Sequence, residues 1–110
     1  MSYGGASDDD ASLRPSHGGR VLLALDRVDT THAHYTVALA EPQGVMRGTA
    51  QIALDAAIGA EPAVMLDVRG EASDWLRAQA KRFLVTLAKD CRGESAEPWP
   101  ARILRWRAPR

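Results

Sequence analysis

The fold class predicted by this sequence is α+β: a two-layer domain with a mainly antiparallel sheet of four to five strands and one long amphipathic helix packed on one face. Three observations carry that expectation. Alternating apolar and polar runs follow one another between residues 20 and 69, the period of half-buried strands. Residues 73–92 then switch to the 3.6-residue period of a helix. A last alternating run occupies residues 101–107. The expected element order is β-β-β-β-α-β. A sheet with one apolar face and a helix with one apolar stripe bury each other most economically as two layers.

Residues 1–19 contain almost no apolar side chains and are rich in Gly, Ser and Asp. They are expected to form a disordered or loosely attached tail. Asp8, Asp9 and Asp10 lie in that tail. Consecutive carboxylates lack the spacing of a calcium loop, so they are read as solvated. The ordered domain is expected to span residues 20–107, followed by a short tail, 108–110.

Residues 20–28 place Val21, Leu23 and Leu25 on one face. Leu22 and Ala24 on the other face suggest burial on both sides near the start of that strand. Asp29, Thr30 and Thr31 suit a turn. Residues 32–41 alternate Ala33, Tyr35, Val37 and Leu39 against His32, His34 and Thr36. Pro42-Gln43-Gly44 reads as a compact turn, Pro setting φ and Gly free to take a positive φ. Residues 45–55 place Met46, Ala50, Ile52 and Leu54 on one side, completing a hairpin. Gly48 inside that run marks a bulge or a close approach of another backbone. Residues 63–69 form a short fourth strand with Val64, Leu66 and Val68 inward.

In the helical stretch, Leu76, Ala80, Phe83, Leu84, Leu87 and Cys91 share one stripe. Ser73 is placed to cap the N-terminus and Asp74 to complement the dipole there. Gly93 suits a left-handed C-cap. Pro98 and Pro100 hold the next loop extended. In the last strand Ile103, Arg105 and Arg107 alternate with Leu104 and Trp106. Arginine at alternate positions guards a sheet edge against unwanted pairing.

Composition bounds the function more than it specifies it. The 110 residues are 45% hydrophobic and 25% charged, with a formal net charge of zero. That balance fits a single globular domain with one modest core. Arginine outnumbers lysine 12 to 2, as expected of a GC-rich bacterial genome. The charge is unevenly spread: residues 1–69 carry 5 basic and 9 acidic side chains and residues 70–110 carry 9 and 5. Such asymmetry can orient a partner or a second copy. One cysteine permits no intrachain disulfide. No secretory leader is visible, and no apolar run approaches the roughly 18 residues of a membrane helix. A cytoplasmic location is the expectation.

Recognised catalytic patterns are missing from the sequence. There is no G-x-S-x-G elbow, phosphate loop or dinucleotide fingerprint. Gly18-Gly19 precedes a strand rather than a helix, so it is no phosphate cradle. His32 and His34 lie at i, i+2 and could share a metal. A zinc site would need His17, Asp26 or Cys91 to converge on them, and they are read instead as solvent-facing strand residues. Cys91 sits at the end of the helix where the dipole disfavours a thiolate, and is read as a buried structural residue. No catalytic group, cofactor or metal is assigned.

The remaining feature is basic and aromatic. Trp99, Arg102, Arg105, Trp106 and Arg107 join Arg77, Lys81, Arg82 and Lys89 on the outer helix face as a candidate interaction surface. Arg and Trp are enriched at protein interfaces. The expected function is therefore a small, non-catalytic bacterial interaction or assembly module, with a protein partner or a second copy. One alternative is a nucleic-acid-associated protein using the same Arg/Trp surface. Neutral net charge and the lack of a nucleic-acid motif weigh against it. The other is a small-ligand or enzyme domain with a pocket between helix and sheet.

Overall fold

The computed structural model describes residues 13–54, 63–91 and 98–108. Among the described residues, five strands and one long helix follow in chain order: β1 (Gly19–Val28), β2 (His32–Glu41), β3 (Gly44–Ala53), β4 (Val64–Val68), α1 (Asp74–Cys91) and β5 (Arg102–Arg107). The fold is the α+β arrangement expected from the alternation of periods. One sheet contains all five strands in the order β4-β3-β2-β1-β5, and every neighbouring pair is antiparallel. The meander runs outward to β4, the chain crosses the sheet as α1, and β5 returns beside β1.

The helix-side face follows the alternation in the sequence. Val21 lies opposite Leu39, Leu23 opposite Val37 and Leu25 opposite Tyr35. Ile52 and Ala50 continue the layer on β3, and Val64, Leu66 and Val68 close it on β4. Leu76, Ala80, Leu84, Leu87, Ala88 and Cys91 of α1 are buried against this face. Ser73 caps the helix as its sequence predicts: its hydroxyl accepts from the Leu76 N–H at 3.2 Å. Its own N–H donates to the Glu41 carboxylate at 3.0 Å, tying the helix start to the end of β2. The expected C-cap Gly93, residues 1–12 of the expected 1–19 tail and the loop 56–62 lie outside the described residues; of the rest of that tail, Leu13 is buried and Gly19 opens β1.

Several details differ from the expectation. The β2–β3 connection has two residues, Pro42 and Gln43, because Gly44 already pairs with Glu41 as the first residue of β3. Gly44 does not take a positive φ; among the described glycines only Gly18 and Gly70 do. Gly48 is the close approach its position suggested. A Cβ there would collide with the Asp67 carbonyl oxygen and Val68 of the neighbouring strand.

The opposite face of the sheet holds a second, smaller apolar cluster of Leu13, Leu22, Ala38 and Ala40, with Val45 and Leu104 packed against it. Leu13 is 1% exposed. Arg14 anchors this segment by donating from Nε and Nη2 to the Pro42 carbonyl at 3.1 and 2.9 Å. Leu22 thus has a partner on the second face, which accounts for the apolar residues on both sides of β1.

Candidate functional site

The helix does not cover the whole sheet. Five strands about 4.8 Å apart span roughly 19 Å, whereas a helix with its side chains is about 10–12 Å across. The principal contacts of α1 run to β1, β2 and β4. The helix-side face of β5 is left at the margin, where Arg105 and Arg107 are exposed and Ile103 is half-buried.

The consequence is a groove of about 930 Å³ between the flank of α1 and β5. Phe83, Leu87 and Ile103 supply its apolar lining, and Arg82, Arg102, Arg105 and Arg107 its basic rim. These positions follow from local structure. Arg105 and Arg107 share the inward parity of Ile103 because strand side chains alternate. Gln79, Phe83, Thr86 and Asp90 recur on one flank of α1 at helical spacing and face the groove. The Arg107 guanidinium lies 4.6 Å from the centre of the Phe83 ring, a cation–π contact that holds it over the apolar floor. Among the described residues, no carboxylate lies within 4.0 Å of Arg82, Arg105 or Arg107.

The surface expected from sequence is therefore divided. Arg82, Arg102, Arg105 and Arg107 come together. Lys81 and Lys89 are exposed elsewhere on α1 and do not line the groove. Arg77 is committed to structure: it donates to the carbonyls of Val68, of Gly70 at 2.9 Å and of Ala72 at 3.3 Å, closing the β4–α1 connection. Trp99 packs on the core 6.4 Å from Tyr35. Trp106 projects from the opposite face of the sheet, 43% exposed. Its Nε1 donates to the His17 carbonyl at 3.0 Å, and the His17 ring meets it edge-on. Neither tryptophan shares a surface with Arg105 and Arg107.

The histidines form a different constellation. The Asp29 carboxylate closes the β1–β2 hairpin by accepting from the backbone N–H of Thr31 and His32 at 2.8 and 2.7 Å. Its second oxygen meets His34 Nε2 at 2.8 Å. The Thr31 N–H, the His32 N–H and then the His34 contact hold the Asp29 carboxyl well below its usual range. His34 is not the solvent-facing residue that strand parity implied, for its side chain is only 15% exposed beneath this turn. His17 is at the other end of β1 and Cys91 is buried beneath α1, with Sγ 3.6 Å from the Pro98 carbonyl. Among the described residues no three His, Cys, Asp or Glu side chains gather as a metal-ligand set. Asp29–His34 is a turn-locking pair.

Sequence reasoning raised a pocket between helix and sheet only as an alternative and did not place it against β5. Alternation identified which side of β5 carries the arginines, but the lateral placement of α1 depends on which side chains interlock. No helix among the described residues is long and apolar enough to cross a membrane. Compared with known proteins, the chain matches no family model, no curated protein and no solved structure at a significant level.

Proposed function

We propose that this protein is a non-catalytic interaction module that binds an anionic protein segment in the groove between α1 and β5. The observation that carries this reading is the joint presence of an uncovered strip of sheet and three guanidiniums, Arg82, Arg105 and Arg107, none with a carboxylate within 4.0 Å among the described residues. Apolar floor and basic rim together suit a segment that is both acidic and hydrophobic. A second copy docking through β5 suits the surface less well. Such pairing would bring Arg102, Arg105 and Arg107 of both copies together, and like charges across paired strands are destabilising.

The nucleic-acid reading relied on arginine and tryptophan acting on one surface. Trp106 lies on the face of the sheet opposite Arg105 and Arg107, and Trp99 packs on the core, so neither tryptophan offers those two arginines the stacking platform such binding uses. The isoelectric point near 6.8 offers no general polyanion affinity.

The test is anisotropy of labelled poly-glutamate at low salt. Binding is expected to be lost in the double variant Arg105→Glu/Arg107→Glu and retained in Lys81→Glu/Lys89→Glu, which alters the same charge away from the groove. Equal losses in the two variants, or no binding by the unaltered chain, would overturn the reading. So would tighter binding of a single-stranded oligonucleotide of the same charge.

A further inference from the structure

We infer that β5 is a strand acceptor guarded by its own arginines, which open to an extended segment carrying carboxylates at alternate positions. This inference rests on the groove reading above and specifies how the partner sits there.

The register determines which backbone groups face the open edge. Leu25 N–H donates to the Ala101 carbonyl at 2.8 Å, and Leu23, Val21 and Gly19 continue opposite Ile103, Arg105 and Arg107. In an antiparallel ladder hydrogen-bonded and non-hydrogen-bonded pairs alternate. Ile103, Arg105 and Arg107 therefore turn their N–H and C=O groups toward β1. Leu104 and Trp106 turn theirs outward, where no described strand pairs with them.

Those outward carbonyls are covered from within. Arg105 Nη1 donates to the Leu104 carbonyl at 3.0 Å, and Arg107 Nη1 donates to the Trp106 carbonyl at 3.0 Å. Each arginine caps the edge acceptor of the residue before it. An exposed strand edge is a template for indiscriminate pairing, and at Leu104 and Trp106 charge-assisted bonds now occupy its acceptors. A neutral incoming strand must exchange them for ordinary amide bonds, which are weaker. An acidic strand offers the guanidiniums a carboxylate instead and frees the carbonyls for its own N–H groups.

Geometry specifies where the acids belong. Partner residues opposite Arg105 and Arg107 would occupy non-hydrogen-bonded positions, where facing Cα atoms are closest, about 4.5 Å apart. Their side chains fall on the helix side, over the groove. The recognised pattern is thus acidic at i and i+2, with an apolar residue on the same face opposite Ile103. The ligand class is an extended acidic-hydrophobic peptide that adds a sixth strand to the sheet.

The test uses the full chain and a labelled octapeptide with Glu at positions i and i+2 and Val at i+4, all on one face of the strand. It is compared with the same peptide N-methylated at the amides that would bond to β5. The unmodified peptide is expected to bind, and N-methylation to weaken it by about tenfold or more, the loss of one to two net backbone hydrogen bonds. Arg105→Gln/Arg107→Gln is expected to weaken the acidic peptide by at least about tenfold. The same variant should self-associate in sedimentation, because its edge acceptors are uncapped. Equal binding of the methylated and unmodified peptides would overturn strand addition and leave the groove reading standing. No binding of any acidic peptide at low salt would overturn both. A variant that loses the peptide yet stays monomeric at high concentration would overturn the guarding role. The peptide comparison uses the unaltered chain and is decided whether or not the variant folds.

Discussion

Replacing Gly48 with alanine separates packing from backbone entropy. Gly48 sits in the third strand between Val37 and Val68, and its φ is not positive, so alanine can adopt its backbone conformation. In the unfolded chain the substitution removes freedom and should stabilise by about 0.4–1 kcal/mol. In the fold the added methyl meets the Asp67 carbonyl and the Val68 backbone, neither of which is a flexible side-chain end. Overpacking of this kind costs about 1–3 kcal/mol. The net expectation is a loss of roughly 1–2 kcal/mol, or about 4–16 °C in Tm at 4–8 °C per kcal/mol for a small domain. Gly44→Ala is the control. Its Cβ would find only Met46 Cε, at 3.9 Å, so the entropy gain should appear alone, about 0.4–1 kcal/mol stabilising. Urea unfolding followed by circular dichroism gives both numbers. Shifts of the same sign and size would refute the assigned β3–β4 contact.

Three further outcomes follow from single side chains. Arg77→Met should destabilise by about 1.5–3 kcal/mol in the same urea assay, since it removes the donor to the Val68, Gly70 and Ala72 carbonyls. Asp29 has a folded pKa depressed below its ordinary 3.8, so its contribution is present above that value and is lost as the pH falls below it. Asp29→Asn should flatten that part of the stability–pH curve. Tyr35 has its pKa pushed up from 10.0 to about 12 by burial and then by Cys91. Its stabilising effect is present below pH 10 and is lost as the pH rises toward 12; ultraviolet titration should find one late tyrosine that Tyr35→Phe removes.

Periodicity was enough to read the strands, the helix and the inward residues, because burial of one face forces period 2 or 3.6 on the side chains. It also identified Gly48 as a close approach, since a glycine in a strand interior has few other uses. Features that depend on the meeting of distant segments were not legible. Leu13 is one apolar residue in a polar stretch, and only Leu22, Ala38 and Ala40 reveal what it covers. The Asp29–His34 contact needs the hairpin to close before the two residues meet. For the candidate site, the four arginines were visible as residues, while their gathering depends on α1 leaving one strand of the sheet uncovered. Arg77, four residues before Lys81, looked like part of the same basic face and instead binds three backbone carbonyls.

The most direct test of the account is a ¹H–¹⁵N correlation titration of the chain with the same Glu/Val octapeptide. The expected shifts concentrate at Phe83, Arg105 and Arg107 and at the Leu104 and Trp106 amides, leaving Lys81, Lys89 and β4 unmoved. Shifts centred on the β4 edge or the exposed back of α1, or none at saturating peptide, would contradict the claim that the α1–β5 groove is the binding site.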